Sequence, residues 1–243
     1  MRIGILALLL MVVSVLPWAV YGAVCVSRQE KTAVTAVTVE DDPCVAITFD
    51  DGPRRETTTL LLDGLARRGA HATFFLVGER IAGNEDVIFR MEREGHQVGL
   101  HSQSHMVLAE LNREQLFGEV EVLSRTLEGL LGERELMLRP PYGLISENLC
   151  RWVEHPVILW SVDPEDWSDH DVERQVAEVL AQVEDGDIIL LHDIYYASVE
   201  TAFQVMDALM ERGFRLVTVE ELFALRGKKA EAGAVYRSLP PGS

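Results

Sequence analysis

The stretch that sets the fold reads Val45-Ala46-Ile47-Thr48-Phe49-Asp50-Asp51-Gly52-Pro53. Four of its first five residues are apolar, which is typical of a parallel strand buried on both faces, and a Gly-Pro turn follows at once. The carboxylates of Asp50 and Asp51 are therefore placed where the strand ends. Adjacent carboxylates repel each other, so the pair is tolerated best when one binds a cation and the other handles a proton. The alternative is a solvated Asp-Asp-Gly turn, which is common after strands.

Strand and helix signals alternate along the rest of the chain. Apolar runs predict further strands at 72–77, 97–100, 136–138, 157–162, 187–191 and 214–218. Periodic leucines, capping residues and terminal glycines predict helices at 57–68, 85–94, 173–183 and 201–212, and one more behind a capping box at Asn112. This alternation predicts an α/β domain of parallel strands wrapped by helices, as either a barrel or an open doubly wound sheet.

Composition bounds the class of protein. The 243 residues, 48% of them hydrophobic, are enough for one sizeable core, and nothing in the composition demands two globular domains. The formal charge of −17 argues against a nucleic-acid partner, because phosphate contacts need clustered Lys and Arg. Three cysteines, Cys25, Cys44 and Cys150, make no even disulfide framework, and we assign no bridge.

The N-terminus carries an export or anchor segment. Residues 3–26 contain no charged side chain and, as a helix, are long enough to cross a hydrocarbon core of about 30 Å. We favour an uncleaved anchor with Arg2 inside and the domain outside the cytoplasm. The alternative is a signal peptide cleaved near Gly22, which would make the protein secreted. A linker at 27–43, a catalytic domain at 44–226 and a disordered tail at 227–243 complete the predicted organisation.

Two histidines follow the strand at 97–100. His101 and His105 are four residues apart, so on one helical turn they would project to the same side. With the carboxylate of Asp51 they would form a three-ligand metal site that leaves positions open for water and substrate. The alternative is a chance pair of surface histidines.

The remaining polar clusters also follow predicted strands. They are Arg139-Pro140-Pro141-Tyr142-Gly143, Asp163-Pro164-Glu165-Asp166-Trp167 and Leu191-His192-Asp193. The carboxyl ends of parallel strands meet at one face of a barrel or sheet, where catalytic groups collect. The shared placement therefore indicates one active site.

These five clusters, in this order, resemble the motifs of the polysaccharide deacetylases, also called carbohydrate esterase family 4 or the NodB-homology group. The resemblance covers residues 44–225. It implies a distorted (β/α)7 barrel that removes acetyl groups from N-acetylated sugars. It also implies a divalent metal, most often zinc, with cobalt, manganese or nickel as alternatives.

The resemblance implies a role for each motif residue. Asp50 matches the general base, His192 the general acid, and Asp51, His101 and His105 the metal ligands. It further implies that Arg139 holds Asp50 and that Asp166 orients His192. The backbone N–H of Tyr142 would bind the oxyanion. The residues implied to contact the sugar are Tyr142, Trp167 and Leu191. The chain departs from the family pattern at Leu100, where many relatives have Asn, and at Ser102, where Thr is commoner. Neither change removes a ligand.

The sequence thus predicts a monomeric hydrolase acting on N-acetylglucosamine residues of an exported polysaccharide. Among such polysaccharides we favour the peptidoglycan of the cell wall as the substrate. The alternatives are a chitin or chitooligosaccharide deacetylase, a catalytically silent sugar-binding module and an intracellular amidohydrolase. We expect Trp160 to lie in the core, and His71, His96, His155 and His170 to be ordinary surface or core histidines.

Overall fold

The computed structural model describes residues 42–242, which form an α/β unit. Seven strands and seven α-helices lie within these residues. The strands are β1 (Cys44–Asp50), β2 (Thr73–Leu76), β3 (Gln97–Leu100), β4 (Val157–Ile158), β5 (Ile188–His192), β6 (Arg215–Val217) and β7 (Val235–Tyr236). The helices are α1 (Arg55–Arg68), α2 (Glu85–Arg93), α3 (Arg113–Leu131), α4 (Glu147–Trp152), α5 (Val172–Gln182), α6 (Tyr196–Glu211) and α7 (Val219–Leu225).

The strands form an irregular ring in which β1 pairs with β2, β5 and β6. All strand pairs are parallel, in the order β3-β2-β1-β5, while β6 pairs with the first residues of β1. Single bridges from Leu100 to Leu138, from Leu138 to Val157 and from Val162 to Ile189 carry the pairing from β3 round to β5. The predicted strand at 136–138 is thus reduced to one bridging residue, and the predicted strand at 157–162 is broken after Ile158. The parallel α/β architecture is confirmed.

Burial on both faces explains why β1 is so apolar. All seven of its residues are buried. Phe49 packs outward against the helices and stacks on Phe74, with ring centroids 5.4 Å apart. Ala46 points inward, among Phe75, Ile158 and their neighbours inside the ring.

The segment after Gly227 is ordered, so the predicted disordered tail is wrong for residues 227–242. β7 pairs with β4, the ring of Tyr236 meets Phe223 edge-on at 4.8 Å, and Leu239 is 2% exposed. The N–H of Leu239 also donates to the carbonyl of Gly186 at 2.7 Å. The tail is polar in composition, but these few apolar residues fill the end of the ring where the strands begin.

The predicted N-terminal helix at residues 3–26 and the linker up to residue 41 lie outside the described residues. Within residues 42–242, no helix is both long and apolar enough to cross a bilayer. Cys44 and Cys150 are free thiols, and Cys25 lies outside the described residues.

Candidate active site

The predicted site residues meet at the carboxyl ends of the strands. Asp50 ends β1 and His192 ends β5, and the two are directly paired in the sheet register. A cavity of about 440 Å³ opens between these strand ends. It is lined by Asp50, Asp51, His101, His105, Tyr142, Trp160, Asp163, Trp167, Leu190 and His192.

Asp50 is held by a fully buried arginine. Nη1 of Arg139 donates to Oδ1 of Asp50 at 2.8 Å and to the hydroxyl of Thr48 at 2.6 Å. The guanidinium also donates to the carbonyls of Ile158 and Leu159, at 3.2 and 3.0 Å. These bonds fix the carboxylate and leave Oδ2 of Asp50 directed towards the site, 3.8 Å from Nε2 of His101. The arrangement suits a carboxylate that accepts a proton on one oxygen only.

Asp51, His101 and His105 converge on one point. Oδ1 of Asp51 lies 3.4 Å from Nε2 of His101 and 2.9 Å from Nε2 of His105. One ligand atom from each of the three residues lies within 4.8 Å of the others. Burial alone would raise the pKa of Asp51, but the two histidines outweigh it and hold that pKa well below its usual range. Asp51 is therefore a carboxylate at neutral pH, the form that a metal ligand requires.

The donor set fits a divalent metal. Nδ1 of His101 lies 2.7 Å from the carbonyl oxygen of Arg139, and because a carbonyl can only accept, Nδ1 carries the hydrogen. In the neutral ring, Nε2 then presents a lone pair to the carboxylate oxygens. Oδ1 of Asp51 is buried and forms no hydrogen bond within residues 42–242. Facing lone pairs at a buried position are best satisfied by a cation, and two imidazoles with one carboxylate suit zinc.

The histidine ligands are not on a helix, so that part of the sequence interpretation is wrong. The loop after β3 turns at Ser102 and His105, which both have positive φ. The N–H of His105 donates to Oγ of Ser102 at 2.8 Å, and Ser104 donates twice to Glu119 of α3. This turn, tied to a distant helix, brings the two rings to a centroid distance of 5.1 Å.

Backbone strain also concentrates at this end of the domain. Within residues 42–242, five residues other than glycine have positive φ, namely Asp51, Ser102, His105, Tyr142 and Glu165. All five lie in loops that follow a strand or a bridging residue of the ring and that carry predicted site residues. Left-handed conformations cost free energy for such residues and cluster at functional sites, where the surrounding contacts maintain them.

His192, which lines the cavity, forms a hydrogen-bonded pair with Asp166. Nδ1 of His192 lies 2.7 Å from Oδ1 of Asp166, and the backbone N–H of His192 donates to Oδ2 at 2.9 Å. Burial would lower the pKa of His192, but the bond to Asp166 and the charges of Asp166, Asp50 and Asp51 outweigh it and raise that pKa to about 9. His192 is therefore protonated at neutral pH, with Nε2 available to donate.

Aromatic side chains form the cavity walls. Tyr142 is 61% exposed, and its ring meets His105 at a centroid distance of 4.9 Å. Trp167 is 55% exposed and also lines the cavity. Trp160 also lines the cavity, contrary to the expected core position, because the chain leaves the ring after Ile158 and rejoins it at Val162.

The prediction that Leu191 contacts the sugar is wrong. Leu191 is fully buried in the outer core, whereas Leu190 lines the cavity. Successive side chains on a strand point to opposite faces, so in β5 Leu190 lies on the same face as His192 and Leu191 on the other. The histidines at positions 71, 96, 155 and 170 do not line the cavity.

Two acidic residues of the site were not assigned from the sequence. Asp163 lines the cavity, and burial raises its pKa. Asp193 is completely buried, and burial raises its pKa to about 7. Both belong to the polar clusters that follow predicted strands, so their position in the sequence indicated that they lie near the site. Their burial depends on the fold and could not be predicted from the sequence.

A parallel α/β ring with a candidate two-histidine, one-carboxylate metal site defines the class of protein. A family profile described as polysaccharide deacetylase matches residues 38–155. A peptidoglycan-N-acetylglucosamine deacetylase of Bacillus cereus is 33% identical over 197 residues, 78% of this chain and 92% of that protein. The chain belongs to the polysaccharide deacetylase family, which confirms the resemblance.

Two further relatives define the extent of the match. The peptidoglycan-N-acetylmuramic acid deacetylase PdaC of Bacillus subtilis is 39% identical over 188 residues, 77% of this chain, and the chain spans only 40% of the length of PdaC. The structure of a family 4 acetyl xylan esterase from Clostridium thermocellum, in complex with a cobalt ion, superposes with a TM-score of 0.77. It shares 32% identity, over 81% of this chain and 99% of that one.

Proposed function

We propose that this protein hydrolyses the N-acetyl group of N-acetylglucosamine residues in a polysaccharide, namely peptidoglycan, and releases acetate. The observation that carries the proposal is the convergence, in one cavity, of a three-ligand metal site, an arginine-held carboxylate and a carboxylate-held histidine. These are the parts that amide hydrolysis needs: an activated water, a base to take its proton and an acid for the leaving amine.

Asp51, His101 and His105 would hold the metal, and zinc suits their nitrogen and oxygen donors. Bound there, the metal supplies a water whose pKa is lowered towards about 7 and an electrophile for the amide carbonyl. The cobalt-bound relative supports a divalent ion in this fold.

Asp50 would act as the base. Its Oδ2 is the oxygen left free by Arg139 and lies beside the ligand His101, so it can accept a proton from water held at the metal site. Arg139 keeps the other oxygen occupied, which restricts proton uptake to the side that faces the cavity. The negative charge that develops on the carbonyl oxygen needs a fixed donor, and the backbone N–H of Tyr142 remains the predicted one.

His192 would act as the acid. Asp166 fixes its Nδ1, so Nε2 faces the cavity and can deliver a proton to the departing sugar nitrogen. His192 and Asp50 end the neighbouring strands β5 and β1, so acid and base would both reach an amide bound in this cavity. A silent sugar-binding module would need none of these charged pairs, and their intact geometry disfavours that alternative.

Peptidoglycan is favoured over chitin because relatives from Bacillus and Listeria are named peptidoglycan deacetylases. A Bradyrhizobium relative, 32% identical, is named a chitooligosaccharide deacetylase, so short chitin chains are the competing substrate. PdaC is named for N-acetylmuramic acid, which makes the second sugar of the polymer another candidate.

The test is acetate release by the purified full chain from peptidoglycan and from chitooligosaccharides, after removal of metal with EDTA and again after addition of zinc. We expect release from peptidoglycan only with metal, and mass spectrometry of the digested polymer would identify which sugar has lost its acetyl group. A His101→Ala, His105→Ala double variant is the control for the metal site. Absence of release from every glycan in zinc-loaded protein would refute the proposal.

We also propose that the apolar run at residues 3–26 places the enzyme outside the cytoplasm, held on the membrane. Its support is the length of that run and the positive flank at Arg2. Fractionation of expressing cells, with protease added outside, tests this. A full-length membrane-bound band that external protease trims is the expected result, whereas a shortened protein in the medium would mean that the run is a cleaved signal.

A further inference from the structure

Asp193 is a buried carboxyl that the proposed chemistry does not use. Its side chain has no solvent exposure, and Oδ1 has no hydrogen-bond partner in the described part of the chain. Oδ2 accepts a hydrogen bond from the hydroxyl of Thr58. A buried carboxyl with an unpaired oxygen lowers the stability of the fold, so its presence here calls for a role that an apolar side chain could not fill.

The carboxyl of Asp193 lies directly against Gly52, the residue after the metal ligand Asp51. A Cβ atom at position 52 would stand 2.4 Å from both carboxyl oxygens of Asp193, far inside van der Waals contact. Gly52 therefore allows the carboxyl to touch the backbone of the turn. This close approach explains why residue 52 is a glycine, although its φ is not positive.

Thr58 extends the contact to the other side of the same turn. Its hydroxyl accepts a hydrogen bond from the N–H of Arg54 at 2.8 Å while it donates to Asp193. The N–H of Val77 donates to the carbonyl of Gly52 at 2.9 Å. Residues 52–54 are thus held between α1, the end of β2 and the loop after β5.

Asp51 lies immediately before this turn. Its φ is +73°, in the left-handed region, and a residue other than glycine stays there only where its surroundings hold it. In that conformation its Oδ1 faces both histidine ligands. If the turn relaxed, the carboxylate would swing away from the histidines.

We propose that Asp193 is a positioning residue for the metal site. Through Gly52 and the hydroxyl of Thr58 it holds the turn in which the carboxylate of Asp51 faces His101 and His105. This inference rests on the metal site of the proposed function. It adds that the affinity for metal is set in part by a carboxyl that does not bind the metal.

The test is calorimetric titration of zinc into the metal-free full chain, with thermal unfolding in EDTA measured on each variant. Thr58→Val removes the hydroxyl at nearly constant volume, and Asp193→Ala removes the carboxyl. Supporting residues of metal ligands typically contribute 10–100-fold to affinity, so we expect zinc binding about 10-fold or more weaker in both variants. Thr58→Ser restores the hydroxyl and should bind zinc as the wild type does.

Thr201→Val is the matched control. Thr201 is also fully buried, and its hydroxyl donates to Oε1 of Gln175 at 2.6 Å, between α6 and α5. The Thr201→Val substitution should lower the unfolding temperature and leave zinc affinity unchanged. Wild-type affinity in Thr58→Val and Asp193→Ala would overturn the inference, as would an equal loss in Thr201→Val. A wild-type protein that binds no zinc would instead refute the metal site itself, together with this inference.

Discussion

Asp166→Asn tests how the acid of the proposed reaction is kept protonated. Asp166 is fully buried and uses both carboxylate oxygens on His192, one on Nδ1 and one on the backbone N–H. An asparagine keeps the shape and one acceptor but removes the charge. Burial of His192, which opposes its positive charge, remains in the variant. The pKa of His192 should therefore fall from about 9 to its ordinary range or below.

The size of the effect depends on pH. With a pKa of about 9, roughly 99% of His192 is protonated at pH 7 and roughly 76% at pH 8.5. At the ordinary pKa of about 6.5, these fractions become roughly 24% and 1%. The rate of the variant relative to the wild type should fall about 4-fold from this cause at pH 7 and about 75-fold at pH 8.5, but by only about 10% at pH 5.5. These magnitudes apply to the metal-free site. A bound cation repels the positive charge of His192 in both proteins, so in zinc-loaded protein the rate ratio should still fall as pH rises, beginning at a lower pH.

The assay is acetate release by zinc-loaded wild type and Asp166→Asn between pH 5.5 and 9, expressed as the ratio of the two rates at each pH. The ratio removes any effect of pH on metal binding that both proteins share. NMR titration of His192 provides the pKa directly. A ratio that stays constant across this range would refute the reasoning, because it would mean that Asp166 only supports the structure.

Four other changes test separate parts of the site and fold. Asp50→Asn should retain zinc and lose at least about 100-fold in turnover, measured on one preparation, and wild-type turnover would assign the base to another residue. Arg139→Met leaves the charge of Asp50 buried and unpaired, so urea denaturation should show a loss of about 3–5 kcal/mol, and an unchanged midpoint would contradict this. Trp160→Ala should raise KM for the glycan with zinc affinity unchanged, whereas an unaltered KM would exclude it as a substrate contact. Leu239→Ala should cost about 2–5 kcal/mol of unfolding free energy with kcat preserved, and wild-type stability would mean that the tail does not support the fold.

The features that sequence predicted well are local ones. A strand that is buried on both faces must be apolar throughout, so β1 and the carboxylates at its end could be read directly from residues 45–51. The capping box at the start of α3 was equally local, and the structure contains both of its bonds, between Asn112 and Gln115. Because parallel strands bring their carboxyl ends together, the common location of the polar clusters could also be predicted from the sequence.

The features that sequence mispredicted depend on distant contacts. The spacing of His101 and His105 fits one helical turn, but hydrogen bonds from the loop to Glu119 of α3 make an irregular turn instead. The order of residues in a motif does not reveal which face of β5 is inside, so Leu191 was chosen where Leu190 lines the cavity. The tail has a polar composition, and its order depends on a few apolar contacts that composition does not reveal.

The ordered tail determines how the domain can be attached to other molecules. Leu239 bonds to Gly186 and packs beside the first residues of β1, at the end of the ring opposite the cavity. A fusion partner, purification tag or solid support joined after residue 242 would therefore leave the cavity mouth unobstructed. The same placement makes the C-terminus a poor site for deletion, since trimming past Val235 would remove the strand that covers β4.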